Sequence, residues 1–71
     1  MVDEKIALAV LGKHIREARV TAGLTQERLA ELCDFDSTYV SLLERGQRNP
    51  PYLTLCNLAE QLGCSVAQLI G

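Results

Sequence analysis

Few side chains in this sequence carry chemistry, and those that do are arranged for binding rather than for turnover. Ser37, Thr38, Ser41, Leu42 and Arg45 recur at one- and three-residue steps. At about 100° of rotation per residue they share one arc of a helix, while Tyr39, Val40 and Leu43 fall on the other side. One face is for the core, and the other, with its hydroxyls and a guanidinium, is for something outside. No paired carboxylates, nucleophile and base, or glycine-rich phosphate loop stands out, so no enzyme is expected. The three cysteines, Cys33, Cys56 and Cys64, are irregularly spaced among apolar neighbours. They read as reduced, buried small hydrophobes. The one histidine, His14, lies far from them in sequence. It reads as a surface residue on the flank of a helix, so neither a metal nor another cofactor is expected.

The segment that positions the polar arc runs from Leu24 to Gly46. It reads as two short helices joined by a tight turn, the layout of a helix-turn-helix. Thr25 N-caps the first of them, from about Gln26 to Cys33, with Glu27 in its first turn and Leu29, Ala30 and Cys33 on its buried face. Asp34 and Phe35 make the turn. Asp36 caps the next helix, Ser37 to Arg45. Before this segment, Leu8, Leu11, Ile15, Ala18 and Ala22 form the stripe of a longer helix from near Asp3 to near Ala22. Gly12 inside that helix costs about 1 kcal/mol relative to alanine, which implies a neighbour that needs the space. After it, Pro50 and Pro51 stop the helix and set an extended approach to a fourth, about Leu53 to Leu62, with Leu55, Leu58, Ala59 and Leu62 buried. A capping box, Ser65 with Gln68, opens a short last helix containing Val66, Leu69 and Ile70.

The fold class expected is therefore all-α, a compact five-helix arrangement in a single domain over residues 1–71. A domain of 71 residues buries only roughly 60% of the surface its unfolded chain exposes, so pairing with a second copy would add stability. The hydrophobic fraction is 48% with only 4% aromatic residues, so the core is aliphatic. The apolar run from Ile6 to Leu11 is too short for a secretory signal or a membrane span and follows Asp3 and Glu4. A cytoplasmic protein without membrane contact is expected. The formal net charge of -2 works against a nucleic-acid partner, because phosphate neutralisation by Lys and Arg normally dominates affinity for DNA.

Four blocks in order and at matching separations outweigh that objection: LGKHIREAR (Leu11 to Arg19), GLTQERLAEL (Gly23 to Leu32), STYVSLLERG (Ser37 to Gly46) and TLCNLAEQLGCSVAQLI (Thr54 to Ile70). With them the chain resembles the lambda-repressor-like helix-turn-helix family of phage repressors, Cro-type proteins and bacterial XRE-type regulators. The resemblance implies a regulator that binds double-stranded operator DNA as a homodimer, with the helix at about 37–45 in the major groove and the preceding helix crossing the backbone. It implies base contacts from Ser37, Thr38 and Leu42, the last limited to an apolar feature such as a thymine methyl. It implies backbone contacts from Gln26, Ser41, Arg45, Gln47, Arg48 and Asn49. Arg19 and Glu44 match a structural ion pair of the family. No small-molecule ligand is implied. Val66, Leu69 and Ile70, three apolar residues in the last six, are expected to meet a second copy.

Two features depart from the family pattern. Asp34 stands where a glycine is usual at the turn, and Leu42 replaces what is often a polar or basic reader. Acidic residues also outnumber arginines from Leu24 to Asn49. The net acidity and Leu42 support a second reading, a protein-interaction module of the same fold, such as an antitoxin or accessory regulator, with little DNA binding of its own.

Overall fold

The computed structural model describes residues 2–71. Five helices follow one another: α1 (Glu4–Thr21), α2 (Gln26–Cys33), α3 (Ser37–Glu44), α4 (Tyr52–Leu62) and α5 (Val66–Ile70). No strand occurs among the described residues.

Local chemistry explains most of the boundaries. Asp3, Thr25 and Asp36 each accept a backbone N–H of the first turn, from Ile6, Arg28 and Thr38 respectively. Ser65 and Gln68 close both halves of their capping box. At the other ends, α1 to α4 finish with the same pair of tightened backbone bonds; for α2 these run from Asp34 N to Glu31 O and from Phe35 N to Ala30 O. The motif needs one residue in the left-handed region, and at α2 that residue is Asp34, with φ 60°. An aspartate tolerates this conformation better than most side chains but not freely. The edge-to-face stack of Phe35 on Tyr39, with ring centroids 5.2 Å apart, braces the turn that follows.

Four boundaries differ from expectation by a residue, the first being α1, which starts at Glu4 with Asp3 as its cap. α1 ends at Thr21, and Ala22 is an exposed cap rather than part of the buried stripe. α3 ends at Glu44, because Arg45 has left helical geometry (ψ 2°) ahead of the turn at Gly46. α4 starts at Tyr52, since the Pro51 carbonyl already accepts the first helical bond, from Leu55 N.

The core draws on every helix: Leu11 and Ile15; Leu29, Ala30 and Cys33; Val40 and Leu43; Leu58, Ala59 and Leu62; and Leu69. α3 lies against both α2 and α1, α1 against α5, and α4 against α2 and α5. At Gly12 the backbones of α1 and α3 approach closely. A Cβ there would lie 2.5 Å from the Leu43 carbonyl oxygen and 2.6 Å from that of Glu44, so the space that glycine leaves is filled by backbone.

Several side chains sit differently from their sequence reading. Leu69 is 1% exposed and belongs to the core. On α5 it is turned about 100° from Ile70, towards the α1 and α4 side, which leaves Ile70 exposed and Val66 half-buried. Leu69 therefore cannot serve as a dimer contact. His14 is half-buried, with Nδ1 2.8 Å from the Leu69 carbonyl oxygen. A carbonyl only accepts, so Nδ1 carries the proton and the imidazole ties α1 to α5. Cys33 is buried, but Cys56 and Cys64 are only half-buried, and all three are free thiols. Leu55 is likewise half-buried against the core.

Candidate nucleic-acid interface

α2 and α3 set the geometry of the surface. The buried faces of the two helices hold α3 by Val40 and Leu43, which turns the remaining side chains of α3 outward. Thr38 and Arg45 are exposed, and Ser37, Ser41 and Leu42 are half-buried. Leu42 lies outside the set of half-buried apolar side chains packed on the core, so its apolar surface is available at the rim. Past the end of α3, Gln47, Arg48 and Asn49 are all exposed. The Arg48 guanidinium donates to the neighbouring Gln47 carbonyl at 2.8 Å, and Arg45 Nε makes a long 3.5 Å approach to the Ser41 carbonyl.

The helix is anchored by a network of charge-assisted bonds. Arg19 donates through Nε to Glu44 Oε2 at 2.6 Å and through Nη2 to Oε1 at 3.1 Å. Its Nη1 donates to the Leu24 carbonyl at 2.9 Å, securing the loop before α2. The side chain of Arg19 is 13% exposed and that of Glu44 is 3%. The Glu44 hydrogen bond holds the Arg19 guanidinium above its ordinary pKa, against desolvation acting the other way. Glu44 also accepts a hydrogen bond from Gln26 Nε2 at 3.0 Å. One carboxylate thus joins α1, the start of α2 and the end of α3.

The same network changes how the acidic residues of this segment count. Glu44 is internal and Asp36 caps α3. Glu31 pairs with Arg28 on the exposed side of α2. Among the described residues, Arg45 and Arg48 form no ion pair, which leaves two free cations beside α3. Only Glu44, balanced by Arg19 of α1, drops out of the net charge of the segment, since the Glu31–Arg28 pair cancels a cation with an anion and Glu27, Asp34 and Asp36 stay exposed.

Sequence reasoning anticipated the Arg19–Glu44 pair but not the Gln26 bond to it, nor the bond from Asn57 Nδ2 to the Cys33 carbonyl at 2.9 Å. That second bond satisfies the C-terminal end of α2 from α4. A lone Asn on a helix flank carries no signal of such a partner.

Residues 15–69 match the Helix-turn-helix family. The chain belongs to this Cro/XRE-type helix-turn-helix family. Within it, the chain is 41% identical over 61 residues to an uncharacterized HTH-type transcriptional regulator of Sinorhizobium fredii, covering 86% of this chain and 79% of that protein. It is 38% identical over 61 residues to the control protein C.SmaI of Serratia marcescens, covering 86% and 73%. The crystal structure of the restriction-modification controller protein C.AhdI from Aeromonas hydrophila superposes with a TM-score of 0.84 at 40% identity, over 87% of this chain and 94% of that one. The five-helix all-α architecture is that of the family's regulator domains. In this helix-turn-helix protein, α2 and α3 are the two helices of the motif.

Proposed function

We propose that this chain is a sequence-specific transcriptional regulator that binds operator DNA as a homodimer, with α3 in the major groove. The observation that carries the reading is the split of α3: Val40 and Leu43 are buried, while Ser37, Thr38, Ser41, Leu42 and Arg45 stand clear of the core. Ser37 and Thr38 sit in the first turn of α3, the part of a recognition helix that reaches base edges. Their hydroxyls both donate and accept, and Leu42 offers a surface suited to a thymine methyl. Gln26, Ser41, Arg45, Gln47, Arg48 and Asn49 contact the phosphate backbone and set the register. Gln26 has a further advantage, because the opening N–H groups of α2 suit an anion. Two copies joined through the exposed Ile70 and the half-buried Val66 present their α3 helices about one DNA turn, roughly 34 Å, apart.

The deciding experiment recovers the tightest duplex from a randomised DNA pool and compares wild type with Thr38→Ala. The variant is expected to bind that duplex about tenfold more weakly, from a lost base contact of roughly 1–3 kcal/mol, while unrelated DNA binds as before. Equal loss on both DNAs removes Thr38 from base reading. The net charge of -2 and Leu42 support a second reading, an interaction module of this fold. Absence of any duplex binding at low salt would favour it.

A further inference from the structure

We propose that Glu44, beyond closing the fold, is a positioning residue for DNA binding: by accepting one N–H of the Gln26 carboxamide it fixes the direction of the other, which donates to a phosphate oxygen. The inference rests on the DNA-binding reading above and adds a role that an ion pair with Arg19 does not require.

The argument follows from the donor and acceptor inventory. Ionised Glu44 is acceptor-only, and it is almost wholly buried, at 3% exposure. Its Oε1 receives both Arg19 Nη2 and Gln26 Nε2. A flipped amide would set the carbonyl oxygen of Gln26 against a carboxylate oxygen, two acceptors without a proton between them. The nitrogen end of the amide is therefore held inward. The one remaining N–H is left to donate to a phosphate oxygen, an acceptor with which the carbonyl oxygen can form no hydrogen bond, and the half-buried stem of Gln26 is ordered before DNA arrives. Glu44 is in turn immobilised by two bonds from Arg19, and Arg19 is fastened to the loop before α2 through the Leu24 carbonyl. The carboxamide of Gln26 thus inherits its orientation from α1 and α3 rather than from its own rotamers. Preorganisation of this kind raises affinity by removing the ordering cost from the binding step.

The test combines a double-mutant cycle with a measurement that needs no variant. Side-chain amide relaxation in the free wild-type chain compares Gln26 with the exposed Gln47. Affinity for the tightest duplex recovered from a random pool by wild type is then measured for wild type, Glu44→Gln, Gln26→Ala and the double variant, with thermal melts alongside. An ordered Gln26 amide beside a mobile Gln47 supports the proposal. So does a Glu44→Gln effect of about tenfold in the wild-type background that shrinks to about twofold or less when Gln26 is alanine. A Gln26 amide as mobile as that of Gln47 overturns it, and this holds even if Glu44→Gln fails to fold. Equal losses in both backgrounds overturn it as well. If the wild-type chain recovers no duplex, the DNA reading fails first, before any variant is compared, and this inference falls with it.

Discussion

Replacing Gly12 with alanine sets two effects of known sign against each other. In an exposed helix the change would stabilise by about 1 kcal/mol. Here the new Cβ would lie 2.5 Å and 2.6 Å from the carbonyl oxygens of Leu43 and Glu44, against 3.4 Å for ordinary contact. Relief requires α1 and α3 to separate by about 0.9 Å, the difference between those distances. The obstacle is backbone, so no side chain can rotate away. Separation loosens the core that Leu11, Ile15 and Leu43 share and strains the short Arg19–Glu44 bonds. Overpacking of this kind costs up to about 3 kcal/mol, which leaves a net loss of roughly 2 kcal/mol after the propensity gain. For a domain of this size that lowers the melting temperature by roughly 8–16 °C. Circular dichroism melts and urea titrations of the two proteins measure it. A Gly12→Ala protein that melts at or above wild type would refute the close approach of α1 to α3.

Three further outcomes are expected. Arg19→Ala leaves the Glu44 carboxylate buried without its cation and should cost about 3–5 kcal/mol, read by urea denaturation; a loss below about 1 kcal/mol would mean the pair is solvated. Burial pushes the Cys33 thiol up to about 11. The unfolded chain then releases this proton at lower pH than the folded one, so stability is complete below about pH 9 and declines as pH rises towards 11; Cys33→Ala should flatten that decline, and an unchanged slope would assign it to other groups. Ile70→Lys should shift sedimentation equilibrium towards monomer while changing the melting of the isolated chain by only about 0.5 kcal/mol; an unchanged association constant would remove Ile70 from the interface.

What could be read from sequence was what depends on near neighbours. Asp3, Thr25, Asp36 and Ser65 sit at helix starts because their side chains reach N–H groups two or three residues on, a relation that spacing alone reveals. Gly12 betrayed a close approach by its cost, although nothing in the sequence said that the partner was the end of α3. The split of α3 followed from rotation per residue. Contacts between distant positions were legible only in part. Arg19 and Glu44 were paired through the family resemblance, but the bond from Gln26 to the same carboxylate and the bond from His14 to Leu69 O join residues with no periodic relation. Leu69 shows the limit of composition: three apolar residues near the end of the chain looked like one face, yet α5 turns Leu69 into the core and Ile70 out of it.

The central claim is that the outward face of α3 and the two free arginines beside it bind DNA. Its most direct test is the affinity of the wild-type protein for its selected duplex as a function of salt. With Arg45 and Arg48 from each of two copies neutralising phosphates, log affinity should fall against log salt with a slope of about -3.6, a loss of about 150-fold between 50 and 200 mM. Affinity independent of salt, or no binding at 50 mM, would contradict the claim.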